Sequence, residues 1–395
     1  MSKVDNIKKF IKENKKNIKE TTKNLINISS DTGNEAEMAA EVKKIMKRFD
    51  YDEIKEDSLG NVIGRIGEGS KKIIFDAHMD TVPSGDDSNW TTDPYQGTFK
   101  GDKLYGRGAC DDKGSLVSFL YTGKAIKKLN LADEFTVYIS ASIMEETCEG
   151  VALGKMLDEQ NIDPDFAVVG EPSDFKICRG HRGRMLLEAV FSGKSVHASV
   201  HEDDNHAIYK ATPFIEAVKD LNKRLPEDPV LGKGDICVTK VEVETNSLNS
   251  TPTKCRVIMD RRTTTVDSKD SVLKELSELS GAEEAEISLM TFNDETYKGS
   301  EIKAEEYFPA WILDEKHELI EAGKKAFEEY YREKPNIDVW GFSTNGNYTM
   351  GKAGIPTLGF GPGKGENCHI NDEYIDINDV AEAIGFYSLL PKNLS

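Results

Sequence analysis

Histidine and carboxylate side chains recur in this sequence where apolar runs end. The run FDAHMD carries His78 and Asp80 two residues apart, and the Gly-rich segment GRGACDDKG carries Asp111. Side chains two apart on a strand share one face, so His78 and Asp80 are expected on the same side. A histidine with two nearby carboxylates is the beginning of a metal-binding site.

Further donors follow other apolar runs. Glu145 and Glu146 come after FTVYISAS, Glu171 comes after FAVVG, and a histidine lies in ENCHIND. Nitrogen and oxygen donors of this kind suit zinc, cobalt or manganese better than copper or iron–sulfur clusters. Buried carboxylates are costly without cations, and the charge of three of them favours two divalent ions over one. The candidate metal ligands are His78, Asp111, Glu146, Glu171 and His369.

Alternating strands and helices must position these donors. Apolar strand patterns at 72–77, 135–142 and 166–170 alternate with helix patterns at 114–129 and 151–159. This alternation is typical of an α/β fold with a mostly parallel sheet. In such sheets, functional sites gather at the carboxyl ends of the strands, which is where the candidate donors fall.

The pattern changes after Cys178. Strand, helix, strand, strand, helix and strand patterns follow in that order up to residue 292. The order βαββαβ predicts an inserted α+β domain with an antiparallel sheet. A polar connector from 293 to about 309 then leads back to the first layer. We expect a catalytic domain from residues 1–178 and 293–395, interrupted by a lid and dimerisation domain at 179–292.

Length and charge limit the classes of function. A chain of 395 residues exceeds the roughly 250–300 residues at which one core usually stops growing, so two domains are expected. The net charge of −19 argues against a nucleic-acid partner, because phosphate binding requires a basic surface. No apolar run reaches the ~20 residues of a membrane span, and the polar start MSKVDNIKKFIKENKK lacks an export signal. A cytoplasmic protein without a membrane partner is expected.

The six cysteines lie far apart without a CxxC pair, so neither a zinc–thiolate site nor a disulfide framework is expected. Three of them, Cys110, Cys148 and Cys368, lie close in sequence to the acidic and histidine motifs. We interpret these three as small buried neighbours of the site. They could make the protein sensitive to oxidation or to thiol reagents.

Five motifs in a fixed order resemble those of one known family. HMD, GRGACDDKG, MEETCEG, VVGEPS and ENCHIND look like the motifs of the M20 metallopeptidases and amidohydrolases. That family includes acetylornithine deacetylase, succinyl-diaminopimelate desuccinylase, aminoacylases and carboxypeptidases. The resemblance covers nearly the whole chain. Within the family, GHRGRM and WGFSTNG look most like the selenium-metabolism-linked hydrolases.

The resemblance implies a dinuclear metal centre. Asp111 would bridge two divalent ions, with zinc expected and cobalt or manganese as alternatives. His78 and Glu171 would complete one site, and Glu146 and His369 would complete the other. The same family pattern implies a small-molecule substrate.

The resemblance also assigns roles beside the metal ligands. Glu145 would be the general base, and Asp80 would hold the imidazole of His78 in its ligating tautomer. The peptide bond between Asp111 and Asp112 is expected to be cis, as is common in this family.

Three residues of the inserted domain match family positions that meet the substrate. His197, in GKSVHAS, resembles the histidine that stabilises the oxyanion, often in the site of the partner subunit. Asn249 and Arg262 match positions that bind a substrate carboxylate. Neighbours on a strand point to opposite faces, so only one of Arg261 and Arg262 can serve, and the family pattern favours Arg262. Because His197 is expected to act in the site of a partner subunit, we expect a homodimer.

Some positions depart from the family pattern. In HASVHEDDNHA, His201 and His206 stand where relatives carry proline and asparagine. Asn345 stands where many relatives carry an acidic residue. These departures weaken any transfer of substrate specificity from the better-known members to this chain.

The residues and the resemblance together predict a metal-dependent hydrolase. It would cleave a peptide or N-acyl bond in a small carboxylate-bearing substrate, such as a dipeptide or an N-acyl amino acid. One alternative is a hydrolase of ureido or N-carbamoyl amino acids, because the same site attacks a ureido carbonyl. A different class is a metal-dependent binding protein without turnover, and a further one is a binding module with a structural two-metal site.

Overall fold

The larger sheet forms the base of the candidate site. The structure is a computed structural model that describes residues 2–132 and 134–394, and within these residues the sheet has nine strands. The four central strands run parallel and are Phe135–Ser142, Lys71–His78, Phe166–Val169 and Thr357–Gly359. The outer strands are Glu53–Glu56 and Val62–Ile66 at one edge, and Ile177–His181, Trp311–Ile312 and Ile337–Trp340 at the other. The outer pairings are antiparallel except that of Ile337–Trp340, so the expected α/β fold is confirmed with its parallel strands in the centre.

Both faces of the strand Lys71–His78, in the middle of the larger sheet, are buried. Ile73 and Phe75 belong to the largest apolar core, whereas Ile74 packs in a second core with Leu153 and Met156. Because successive side chains on a strand point to opposite faces, a strand covered on both sides reads as a continuous apolar run. The helices of this layer are Lys3–Ile26, Ala36–Arg48, Lys113–Leu129, Val151–Gln160, Glu318–Tyr331 and Ile377–Asn393.

The inserted segment has its own antiparallel sheet and apolar core. Its strands are Asp235–Glu244, Lys254–Thr263, Gly183–Ser192 and Ala285–Leu289 in spatial order, with Tyr307–Phe308 also paired to Gly183–Ser192. Its helices are Ala207–Arg224 and Lys269–Ser277. Phe191, Phe214 and Val257 pack together in its core, separately from the core of the larger sheet. The order βαββαβ is therefore present, and the domain boundaries given above stay a prediction.

The expected polar connector from 293 to 309 is not an unstructured return. Strands Thr291–Glu295 and Glu301–Glu305 form an antiparallel hairpin. Ile302 of this hairpin is buried, while most of its other residues are exposed or half-buried. A hairpin with so few buried side chains has a polar sequence, and the strand pattern is correspondingly weak.

Two smaller sheets complete the fold. A three-stranded sheet consists of Tyr374–Asp376, Lys103–Tyr105 and Thr98–Lys100, and the last two strands form a hairpin that turns at residues 101–102. It brings the chain after ENCHIND beside the turn that carries Asp111. The other small sheet pairs Glu227–Asp228 with Gly232–Lys233. Among the helices of the described residues, none is long and apolar enough to cross a bilayer.

Candidate metal centre

Four parallel strands deliver donors to one edge of the larger sheet. His78 is the last residue of its strand. Glu145 and Glu146 follow the neighbouring strand on one side, and Glu171 follows the strand on the other side. His369 comes from the loop after the fourth parallel strand. The sheet thus brings together side chains that are far apart in sequence.

A buried glutamate shapes the turn that carries Asp111. Glu373 accepts the backbone N–H groups of Cys110 at 2.8 Å and Asp111 at 3.0 Å, and its other oxygen pairs with Arg107 at 2.7 Å. Burial, with the nearby charge of Asp111, raises the pKa of Glu373 to about 7. The peptide bond from Asp111 to Asp112 is cis, as predicted. Sequence reasoning missed Glu373, although it closely follows the ENCHIND motif.

Asp111 lies between two histidines. Its Oδ1 is 2.9 Å from Nε2 of His78, and its Oδ2 is 3.2 Å from Nε2 of His369. Each histidine also faces a second carboxylate. Nε2 of His369 is 3.0 Å from Glu146, and Nε2 of His78 is 3.8 Å from Glu171. All five candidate ligands therefore meet in one cluster.

Two subsets of this cluster have ligand atoms within 4.8 Å of one another. One consists of His78, Asp111 and Glu146, and the other of His78, Glu145 and Glu171. This grouping differs from the implied division in that His78 belongs to both subsets and Glu145 belongs to one. Imidazole nitrogens and carboxylate oxygens at this spacing fit zinc, cobalt or manganese.

The hydrogen bond of His78 fixes which nitrogen faces the cluster. Nδ1 lies 3.0 Å from the backbone carbonyl of Asp80 and 3.5 Å from its carboxylate. A proton on Nδ1 donates to that carbonyl and leaves Nε2 free to bind a cation. The carboxylate of Asp80 makes its shorter hydrogen bonds to the backbone N–H of Glu145 at 3.0 Å and to the hydroxyl of Thr32 at 2.8 Å.

The charges of the cluster attract cations. Burial lowers the pKa of His78, but its contacts with Asp111 and Asp80 outweigh burial and raise that pKa well above its usual value. Contacts with Asp111 and Glu146 raise the pKa of His369 to about 11. Burial raises the pKa of Asp111, yet the two histidines outweigh it and hold this pKa below its usual range. The excess of carboxylate charge that raises these two histidine pKa values also favours binding of divalent cations.

Glu145 is a further buried carboxylate beside the five candidate ligands. It is buried, and within the described residues its Oε1 has no hydrogen-bond partner. Burial, followed by the charge of Glu171, raises the pKa of Glu145 well above its usual value. The side chain borders a cavity of about 350 Å³ that is also lined by four of the candidate ligands, Asp111, Glu146, Glu171 and His369. A carboxylate that lines the cavity can accept a proton from a molecule in it.

Two arginines of the inserted segment line the same cavity. Arg262 is 37% exposed and pairs with Asp260 at 2.8 Å, whereas its neighbour Arg261 is buried. The expectation that these neighbours face opposite sides is confirmed. Arg184 pairs with Glu149 at 3.0 Å, and both line the cavity. Sequence reasoning missed this pair, although each residue lies within a motif that it had noted.

His197 and Asn249 lie outside this cavity. The His197 ring is exposed and its Nδ1 is 2.8 Å from the hydroxyl of Ser199. The backbone carbonyl of Asn249 accepts the N–H of Ala198 at 2.9 Å, so the two residues are close neighbours. Among the described residues that line the cavity, neither is present. Their contact with a substrate stays a prediction.

The two unexpected histidines also lie apart from the donor cluster. His201 and His206 line a second cavity of about 330 Å³ in the inserted segment, together with Leu248. His206 stacks on Tyr209 with ring centres 3.9 Å apart. These histidines therefore do not shape the cavity that contains the candidate ligands.

Asn345 has a structural position behind the cluster. Its amide nitrogen donates to Asp76 at 2.7 Å and to the hydroxyl of Ser142 at 2.9 Å. Its amide oxygen accepts the backbone N–H of Gly150 at 2.5 Å. The amide thus joins two strand ends to the start of the helix Val151–Gln160. An acidic residue here would face the carboxylate of Asp76.

Comparison with known proteins decides the family. The model of peptidase family M20/M25/M40 matches residues 74–393. This chain belongs to that family. It is 33% identical over 371 residues to the uncharacterized protein YgeY of Escherichia coli (strain K12), an alignment that covers 93% of this chain and 92% of YgeY. The M20/M25/M40 chain is a metal-dependent hydrolase of amide bonds. Its place among the selenium-metabolism-linked hydrolases stays a prediction.

Solved structures share the fold of this M20/M25/M40 chain. The M20 family metallo-carboxypeptidase Sso-CP2 from Sulfolobus solfataricus superposes with a TM-score of 0.73 at 18% identity, covering 95% of this chain and 99% of Sso-CP2. The YXEP protein of Bacillus subtilis, a dinuclear metal binding peptidase, gives a TM-score of 0.71 at 14% identity, covering 96% and 98%. At these identities the likeness establishes the architecture.

Proposed function

We propose that this M20/M25/M40 chain uses a pair of divalent ions to hydrolyse a peptide or N-acyl bond in a small carboxylate-bearing substrate. The observation that carries the proposal is the position of Asp111, whose two oxygens face His78 at 2.9 Å and His369 at 3.2 Å. A carboxylate between two histidines is suited to bridging two ions. The dinuclear centre of the related YXEP protein supports this interpretation.

Five residues would hold the ions. His78 and Glu171 would complete one site and Glu146 and His369 the other, with Asp111 shared. Bound divalent ions supply Lewis acidity, which lowers the pKa of water and polarises a carbonyl. Zinc is the expected metal, and cobalt and manganese suit the same donors.

Glu145 would be the general base. It accepts a proton from the attacking water and returns that proton to the leaving nitrogen. Its position at the edge of the cavity, beside the candidate ligands, supports this role. The hydrogen bond from its backbone N–H to Asp80 at 3.0 Å supports a fixed orientation of the residue.

Arg262 would bind the substrate carboxylate. It lines the cavity together with four of the candidate ligands, and its planar guanidinium can form two parallel hydrogen bonds to a carboxylate. Nε of Arg262 pairs with Oδ1 of Asp260 at 2.8 Å, which orients the arginine side chain, and this side chain remains partly exposed. Asn249 would assist from the same domain, by analogy with the family position that it matches.

His197 would act in the site of a partner subunit. Its exposed ring lies outside the cavity of its own chain, which is the arrangement expected of a residue that reaches another subunit. The strand Asp235–Glu244 is an edge of the inserted sheet, and its Val241 and Val243 are exposed along with Leu248. An exposed apolar edge of this kind suits pairing with a second copy, so we propose a homodimer.

Light scattering tests the proposed homodimer. An active enzyme with the mass of one chain would contradict it.

A turnover screen tests the proposed reaction. Metal-free protein would be reconstituted with zinc, cobalt or manganese and offered dipeptides, N-acyl amino acids and ureido acids, with chelated protein as the blank. The proposal predicts metal-dependent release of an amino acid from one of the first two classes. Turnover of ureido acids alone would contradict the proposed peptide or N-acyl substrate and support the ureido-acid hydrolase instead. No product from any class at full metal occupancy would instead favour a metal-dependent binding protein.

A further inference from the structure

Two thiols lie side by side next to the donor cluster. Sγ of Cys110 is 3.9 Å from Sγ of Cys368, although the residues are 258 positions apart in the chain. Each cysteine immediately precedes a candidate metal ligand, Asp111 in one case and His369 in the other. The fold therefore places one thiol on each of the two loops that carry these ligands.

The loop before His369 is shaped around this pair. Both thiols approach the backbone carbonyl of Lys364, at 3.4 Å from Cys110 and 3.8 Å from Cys368. Gly363 leaves room for the first of them, because a Cβ at that residue would lie 2.7 Å from Sγ of Cys110. Gly363 also has a φ of +82°, a conformation that favours glycine. Nothing in the proposed hydrolysis uses either thiol.

The two thiols differ in access. Cys368 is half-buried and lines the cavity of about 350 Å³, whereas Cys110 is fully buried. A small oxidant that enters the cavity therefore meets Cys368 first. Cys110 stands behind it as the second thiol of the pair. This is the order of a reacting thiol that is reached from the cavity and a resolving thiol behind it.

We propose that Cys110 and Cys368 are a modification site. Hydrogen peroxide oxidises the two thiols, which form a reversible disulfide with each other. The sulfur of Cys368 attacks one oxygen of hydrogen peroxide, so an S–O bond forms, the O–O bond breaks, and the thiol proton leaves with the released hydroxide as water. The product at Cys368 is a sulfenic acid. The sulfur of Cys110 then attacks the sulfenic sulfur, forms the S–S bond and releases a second water. The two thiols lose two electrons and the peroxide gains them. A dithiol reverses the reaction by thiol–disulfide exchange.

Formation of this disulfide would disturb the donor cluster. A disulfide has an S–S distance of about 2.05 Å, so the sulfurs must approach by roughly 1.9 Å from their present 3.9 Å. Asp111 follows Cys110 directly in the chain, and His369 follows Cys368. Oδ2 of Asp111 lies 3.2 Å from Nε2 of His369. The shift would change the positions of these two donors. Loss of bound metal and of turnover on oxidation follows, and this consequence rests on the proposed function.

Peptide mapping tests the modification site without any assay of turnover. Metal-loaded protein would be treated with hydrogen peroxide, blocked with iodoacetamide and digested without reductant. We expect a cross-linked peptide joining residues 110 and 368, two hydrogens lighter than the separate thiols and cleaved by dithiothreitol. Cys110→Ser and Cys368→Ser should each abolish it, whereas Cys148→Ser, in a buried cysteine of the MEETCEG motif, should keep it. Free thiols at both positions after treatment, or over-oxidation of Cys368 without a cross-link, would overturn the proposal.

Metal content tests the regulatory consequence. The oxidised protein should retain less divalent metal after dialysis than the reduced protein, and dithiothreitol should restore its capacity to bind metal. Cys110→Ser should keep its metal under the same treatment. A complete cross-link with unchanged metal content would overturn the effect on the cluster while leaving the modification site in place. An unproductive substrate screen would bear on the proposed hydrolysis and leave the peptide map unaffected.

Discussion

The carboxylate of Asp80 accepts the backbone N–H of Glu145 at 3.0 Å. Its other oxygen accepts the backbone N–H of Glu146 at 3.2 Å and the hydroxyl of Thr32 at 2.8 Å. The backbone carbonyl of Asp80, rather than its carboxylate, is the nearer group to Nδ1 of His78. One residue therefore connects the strand that carries His78 to the loop that carries two further members of the cluster.

Asp80→Asn should reduce both turnover and metal affinity. Both carboxylate oxygens of Asp80 accept hydrogen bonds, so either orientation of an amide would direct its NH₂ group at another donor. Loss of such a supporting residue typically costs about 10–100-fold. Thr32→Val removes only one of these hydrogen bonds and should have a smaller effect. Wild-type kcat with unchanged metal content in Asp80→Asn would contradict this positioning role.

Arg262→Ala should act mainly on substrate binding. Loss of a hydrogen-bonded charge pair costs about 1.5–3 kcal/mol, which corresponds to roughly a 10–100-fold loss in kcat/KM. The loss should fall mostly on KM, because a carboxylate away from the reacting bond is held equally in the ground and transition states. A substrate analogue with an amide in place of its carboxylate should lose little further on this substitution. A fall in kcat at unchanged KM would contradict the assignment.

Asp111→Asn and Glu171→Gln should differ in metal content. Asp111 faces both histidines, whereas Glu171 lies near only His78 of the two. The first substitution should weaken binding of both ions, and the second should weaken mainly one. Metal analysis of dialysed protein measures the difference. Equal losses in the two variants would argue against a shared position for Asp111.

Asn345→Asp should destabilise the fold in a pH-dependent way. The new carboxylate would lie beside Asp76, whose pKa is already raised by burial. Two adjacent buried carboxyls have folded-state pKa values above their unfolded values, so stability is lost as pH rises through the folded values. Thermal unfolding should be followed from pH 4, near the unfolded value of about 3.9, to pH 7.5, and the loss of stability should grow with pH. Ser142→Ala, which removes a hydrogen bond without adding charge, provides the control, and a loss for Asn345→Asp that is the same over this whole range would refute the explanation.

Much of the fold was readable from sequence because its signals are local. The strand Phe135–Ser142 begins and ends where its apolar pattern does, and the donors follow such patterns directly. The parallel order of the central strands follows from the helices between them. The hairpin of residues 291–305 was missed because its exposed strands carry polar residues, which obscure the alternation.

The missed residues of the site depend on distant contacts. Glu373 and Arg107 are 266 positions apart, and no spacing in the sequence connects them. The pair of Arg184 and Glu149 likewise joins the inserted segment to the loop before helix Val151–Gln160. Such ion pairs exist only once the two segments have folded against each other. The family pattern assigns candidate metal ligands and leaves open what surrounds them.

The most direct test of the account compares metal-loaded Glu145→Gln with the wild type on the substrate that the screen identifies. The rate of product release and the bound metal would be measured on the same samples. Glutamine keeps the size of the side chain and removes its capacity to accept a proton. The account predicts equal metal content and a fall in kcat of about 100-fold or more. A Glu145→Gln variant that turns over at the wild-type rate with its metal bound would contradict it.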